Sequence, residues 1–176
     1  MKKEIKSLRS WVFVALSSAL ISICAMISIP APIPFTLQTF GVFFALFFLG
    51  GKLGTVSIVL YVCLGAIGLP VFSGFSGGFA RLFDAGGGYI LGFILAGLVY
   101  LLVCSLLPKK RGVLYAAAAL AMLSLYICGA MWYSLVYTGT DSLFYVLMLT
   151  VFPYVFPDVI KIGLAYVISM RLKKIL

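Results

Sequence analysis

The sequence predicts an all-α integral membrane protein of six transmembrane helices, with cytoplasmic N- and C-termini and a long Gly/Phe-rich extracellular loop between helices 3 and 4. Three observations predict it. Of the 176 residues, 64% are hydrophobic and only 10% charged, and the mean hydropathy is +1.24. Charge-free runs fill residues 10 to 51, 53 to 80, 85 to 108, 112 to 140 and 142 to 157, and several exceed the roughly 20 residues that span a bilayer. The basic residues, finally, fall on one side of the membrane if the number of crossings is even. A single transmembrane domain, 1 to 176, accounts for the whole chain.

Punctuation sets the elements in order. The first helix is expected over 10 to 29, and IPAPIP ends it. The charged start and apolar middle of KKEIKSLRSWVFVALSSALISIC also resemble a secretion signal, but the equally apolar sequence downstream favours a retained helix. The second helix, 36 to 50, is short for a span and stops at LGGKLG; the third, 53 to 69, stops at LPVFSGFSGG. A short span is accommodated by tilt or by burying one end in protein. The fourth, 88 to 107, runs to LLPKKRG, and the fifth and sixth cover 113 to 136 and 150 to 171.

With six crossings, Lys2, Lys3, Lys6, Arg9, Lys52, Lys109, Lys110, Arg111, Arg171, Lys173 and Lys174 share the cytoplasmic side, which is eleven of the thirteen cations. The remaining two are Arg81, in the loop after the third helix, and Lys161, inside the sixth. The net charge of +9 therefore reads as topology and contact with anionic lipid, not as a nucleic-acid surface.

Several function classes are excluded or weakened. There is no histidine, and Cys24, Cys63, Cys104 and Cys128 lie far apart in apolar stretches, so they read as buried free thiols and not as metal ligands. No nucleotide-binding glycine motif is present; GGKLG lacks the hydroxyl that a P-loop requires. Three aspartates and one glutamate leave an enzyme little acid/base chemistry. Binding without covalent change fits this inventory.

The strongest functional signal is Asp158 with Lys161 inside TVFPYVFPDVIKIGLAYVISM. Ionisable groups persist in lipid by facing a partner, a cavity or a substrate. Residues at i and i+3 share a helix face and can neutralise each other, yet desolvated charges gain little net stability from pairing alone. A cavity that needs an acceptor and a donor is the better reason to keep both. Counting inward from Arg171, Asp158 is thirteen residues deep, about 20 Å at roughly 1.5 Å per residue, and so in the outer half of the bilayer. Lys161 lies near the middle. Pro157 suits the first turn of a helix, which would put Asp158 near a positive helix end.

Three irregular stretches fall on the outer side: PAPIPFTLQT, LPVFSGFSGGFARLFDAGGG and VYTGTDS. In the second, glycines alternate with Phe72, Phe75, Phe79 and Phe83, giving close backbone approach and apolar walls. Such a loop either packs at the membrane interface or forms a lid over a site. Thr36, Gln38 and Thr39 at the start of the second helix either cap it or close the pocket with hydrogen bonds. In the first helix Ala15 and Ala19, extended by Ser18 and Ser22, form a small-xxx-small stripe suited to close helix packing, within the chain or against a partner.

In order and spacing, IPAPIPFTLQTFGVFFALFFLGGKLGTVSIVLYVCLGAIGLPVFSGFSGG, GGGYILGF and FPYVFPDVIKIGLA together resemble the BioY family, the biotin-binding components of energy-coupling-factor vitamin transporters. The resemblance covers most of the chain. It implies six helices in a prokaryotic cell membrane, no chemical reaction, no covalently bound cofactor, and biotin held near the outer face as the transported ligand. It also implies that Asp158 accepts from a ureido N–H, and that Lys161 balances Asp158 and donates to a ligand oxygen. Phe72 and Tyr89 would form walls of the substrate site, with Gly77 and Gly78 of the same loop also in contact with the ligand. Where relatives read GPTGGY this chain reads DAGGGY. Arg81, the lone outer cation, is either a partner for the biotin carboxylate or a solvated or headgroup-bound arginine.

The partners implied are a transmembrane coupling subunit, docked on Ala15 and Ala19, and a pair of ABC-type ATPases that alone use ATP. The competing readings are a binding component for another vitamin, such as thiamine or riboflavin, an ion-coupled secondary transporter using Asp158, and a membrane enzyme.

Overall fold

The computed structural model describes residues 8–31, 33–108, 110–139 and 142–175. Lys2, Lys3, Lys6 and Lys109, and Thr140 and Asp141 of the VYTGTDS stretch, lie outside the described residues. The elements are α1 (Leu8–Met26), a two-stranded hairpin of β1 (Ser28–Ile29) and β2 (Phe35–Thr36), α2 (Gln38–Ala66), a 3-10 turn (Phe79–Leu82), α3 (Gly87–Leu106) and α4 (Arg111–Trp132). A π-helical turn (Tyr133–Thr138), α5 (Leu143–Thr150) and α6 (Phe152–Ile175) follow.

The first helix ends earlier than expected, because Pro30 and Pro34 bias the residues before them toward extended backbone. Ser28 pairs with Thr36 and Ile29 with Phe35, antiparallel. This small hairpin roofs one end of the bundle.

α2 is not straight. Gly50 sits at φ 80° and ψ 169°, a conformation open to glycine, and the chain doubles back there. At roughly 1.5 Å per residue, Gln38 and Tyr61 would stand about 35 Å apart in a continuous helix. Instead Gln38 Nε2 donates to Tyr61 Oη at 3.0 Å, so 38–49 and 51–66 are two antiparallel limbs. A Cβ on Gly54 would press on the Leu46 backbone, which shows how closely the limbs approach. The second limb ends in a Schellman motif, with Gly68 at φ 110° and Leu69 N donating to Leu64 O at 3.2 Å. Pro70 then prevents continuation.

The two limbs form the centre, with α1, α3 and α6 packed around them. Phe43, Phe47, Ile58, Tyr61 and Tyr100 are fully buried, and Phe47 meets the rings of Tyr100 and Tyr166 edge-on. α3 and α4 pack tightly because glycines line their contact: Gly88 lies under Trp132, Gly92 under Leu125, and Gly129 under the Tyr89 ring. Large apolar side chains such as Leu98, Leu102, Leu123 and Leu164 face outward, while Ser17, Ser57, Thr55 and Ser169 are buried. That inside-out distribution is the all-helical membrane architecture expected of the sequence.

Among the described residues, four helices are long and apolar enough to cross a bilayer, and a fifth is gained if α5 and α6, bent by 43°, are one broken span. Two local expectations change. Pro157 lies inside α6, five residues beyond its start at Phe152 and not in its first turn, so Asp158 is away from the helix end. Cys63 is exposed, not buried like Cys24, because it lies on the outward face of the second α2 limb.

Candidate functional site

One end of the bundle gathers the beginnings of α2, α3 and α6, the end of α4, and the roofing hairpin. Asp158 and Lys161, one turn apart on the inner face of α6, have side chains only 7% and 11% exposed. Lys161 Nζ donates to Asp158 Oδ1 at 2.9 Å and to the Thr36 carbonyl at 2.7 Å. It also stands 3.9 Å from the centroid of the Phe35 ring, close enough for a cation–π contact. The other carboxylate oxygen, Oδ2, accepts from the Tyr126 hydroxyl at 2.9 Å. The pair is therefore internally satisfied.

Asp158, Lys161, Tyr126, Thr36, Gln38 and Tyr89 line one cavity of about 70 Å³, walled by Phe93, Leu125, Ile33 and Ile90. Thr36 Oγ1 accepts from Gln38 N at 3.2 Å at the start of α2, and both residues line the cavity. Tyr89 donates to the Thr150 carbonyl at 2.9 Å. Tyr154 stacks on Phe35, with ring centroids 5.9 Å apart, and donates to the Ile33 carbonyl. The side chains offer one buried cation, one buried anion and several hydroxyls between apolar walls, a composition suited to recognising a small polar ligand.

A second cavity of about 380 Å³ adjoins the first through Pro34, Ser73, Gly86 and Ile90, and is lined also by Phe72, Arg81 and Asp84. Arg81 Nη1 bonds Asp84 Oδ2 at 2.6 Å, and Arg81 Nε donates to Ser76 Oγ at 3.0 Å. Phe72 is buried, packed edge-on to Tyr61 with centroids 5.5 Å apart and over Gly65. Phe75, Phe79 and Phe83 are exposed, so the aromatic loop divides into one cavity wall and three outward rings. Gly77 and Gly78 line neither cavity. A Cβ on Gly77 would strike the Leu69 carbonyl, and Gly78, at φ 103°, donates to Gly65 O at 2.7 Å. These glycines hold the loop down; they do not touch the cavity.

On α1, Ala15 and Ala19 are exposed beside Trp11, Val12 and Leu16, whereas Ser18 and Ser22 are buried. The four residues share one side of the helix, as their spacing requires, but along it the two serines are buried and only the alanines present a free surface.

Sequence reasoning missed Tyr126, Tyr154, Phe35 and Asp84. Tyr126 carries no distinguishing sequence signal, since the same helix also holds Tyr115 and Ser124. Phe35 comes to Lys161 and Tyr154 of α6 only through the hairpin.

Fold and site together define a helical membrane protein that encloses a small polar solute-binding pocket at one end of its bundle. The BioY family model matches residues 1–176, and the chain belongs to that family. It is 41% identical over 161 residues to the probable biotin transporter BioY of Pyrococcus horikoshii, an overlap of 91% of this chain and 93% of the relative. It is 38% identical over 169 residues to the biotin transporter BioY of Thermotoga maritima, covering 96% and 98%. Its structure matches the crystal structure of the S-component for biotin from an ECF-type ABC transporter with a TM-score of 0.83 and 28% identity, over 99% of this chain and 95% of that one.

Proposed function

We propose that this chain is a biotin-binding component of the prokaryotic cell membrane that captures extracellular biotin and passes it inward with an ATP-driven coupling module. It is a multi-pass transport protein and not an enzyme. The buried Asp158–Lys161–Tyr126 cluster at the head of a cavity carries this reading. Biotin's ureido ring, with two N–H donors and a carbonyl, complements one carboxylate acceptor and one ammonium donor, and charge-assisted bonds in a dry pocket give both orientation and affinity. In this reading the ring lies by Asp158 and Lys161, with Tyr89, Thr36 and Gln38 around it. The tail passes Phe72 toward Arg81, while Gly77 and Gly78 support the loop above.

The inner cavity, at about 70 Å³, is far below the roughly 300 Å³ at which ligand pockets begin. Binding must therefore exchange some of the internal bonds of Lys161 and Asp158 for ligand bonds and draw on the adjoining outer space.

In this reading the chain crosses the membrane six times with cytoplasmic termini, the two limbs of α2 being counted separately and α5–α6 as one broken span. Gly51 packs on Leu101 of α3, so Lys52 lies toward the α3 C-terminal end with Lys110 and Arg111, opposite the cavities. Ala15 and Ala19 are the docking surface for the transmembrane coupling subunit, with the pair of ABC-type ATPases beyond it.

Calorimetric titration of the solubilised chain with biotin tests the reading. Saturable one-to-one binding is expected, and binding of thiamine or riboflavin in its place would transfer the site to another vitamin. Leucine at both Ala15 and Ala19 should leave this titration unchanged and abolish uptake in the assembled complex; sustained uptake would remove the docking role.

A further inference from the structure

The outer cavity carries a feature for which biotin capture by itself gives no reason. Its cation, Arg81, is already held by a carboxylate of the same chain, Asp84, at 2.6 Å. Asp84 opens the DAGGGY stretch, so this anion stands at the mouth of the site. Its backbone is anchored, with the carbonyl accepting from Trp132 Nε1 at 3.2 Å and from Gly87 N at 2.9 Å. The side chain is not anchored in that way. It is 50% exposed and Arg81 is 39% exposed, and pairs so solvated contribute little and separate readily. Among the described residues, Arg81 Nη2 has no partner, so the guanidinium keeps one open edge beside the anion.

We propose that Asp84 is an internal competitor for the ligand's carboxylate and a specificity-determining residue at the outer mouth. This rests on the biotin reading above. An incoming carboxylate meets an Arg81 whose charge is already neutralised, and it must displace Asp84 or share the guanidinium with it against like-charge repulsion. Affinity for the anionic ligand is thereby held down, while a ligand lacking the carboxylate is nearly unaffected. The same neutralisation keeps the lone outer cation from collecting unrelated anions.

The test is calorimetric titration of the full chain and its Asp84→Asn and Asp84→Ala variants with biotin and with its neutral amide, at low and physiological salt. Both variants should bind biotin about two- to fivefold more tightly than the parent, most clearly at low salt, with the amide nearly unshifted. Biotin affinity that is unchanged or weakened in both variants, or an equal gain for the amide, overturns the role of Asp84 while the parent's own binding still supports the biotin reading. Failure of the parent to bind biotin overturns that reading first. Loss of fold is not expected, since the anchoring bonds of residue 84 come from its backbone.

Discussion

Two acid–base pairs with the same i, i+3 spacing stand at the two depths of one end of this molecule. Asp158 and Lys161 meet at 2.9 Å with side chains about a tenth exposed; Arg81 and Asp84 meet at 2.6 Å with side chains two-fifths to one-half exposed. The shorter pair is the weaker one. Near water its Coulomb attraction is screened and offset by side-chain ordering, whereas in the bundle separating the inner pair would leave a buried charge without its counter-charge. The inner pair is also bound into a network, through Tyr126, the Thr36 carbonyl and the Phe35 ring, while the outer pair adds only Ser76.

Removing half of the inner pair should have the largest effect. Lys161→Met strands a buried carboxylate and should lower stability by about 3–5 kcal/mol, read as a fall in the thermal midpoint in detergent. Adding Asp158→Asn to that variant should restore much of the stability and leave biotin binding abolished. If the double variant is as unstable as the single, the pair is not the source of the stability difference.

Next in size is Tyr126→Phe, which takes one hydrogen bond from Asp158 Oδ2 while keeping the ring. A loss of about 1.5–3 kcal/mol, typical for a bond to a charged group, is expected in stability or binding, by thermal scan and titration together. A change below that range in both would show that water or ligand replaces the hydroxyl without penalty.

The smallest effect belongs to the outer pair. Arg81→Gln should change stability by no more than about 1 kcal/mol, with the difference shrinking as salt is raised. A shift as large as that of Lys161→Met would erase the contrast between the two depths.

Reading from sequence reached far in this chain, and where it stopped is instructive. The two charges of α6 were legible because ionisable side chains are conspicuous in apolar sequence. The break at LGGKLG was legible because Gly50 accepts a positive φ. Tyr126 and Phe35 were not, since a tyrosine or phenylalanine in an apolar segment looks the same whether it faces lipid, core or ligand. Gly77 and Gly78 were read as contacts to a ligand because close approach is what glycine permits; the backbone that approaches is Leu69 and Gly65 of the same chain.

The sequence by itself determined the membrane class, the helical segments and the residues whose burial demands a reason, because apolar length, proline and glycine geometry and the cost of desolvating charge all act locally along the chain. Only the tertiary structure decided that Ala15 and Ala19 are exposed where Ser18 and Ser22 are buried, that Lys161 reaches Thr36 across 125 residues of sequence, and that it stands over the Phe35 ring. Those contacts arise from how helices pack side by side, and packing depends on the shapes of surfaces that are distant in sequence.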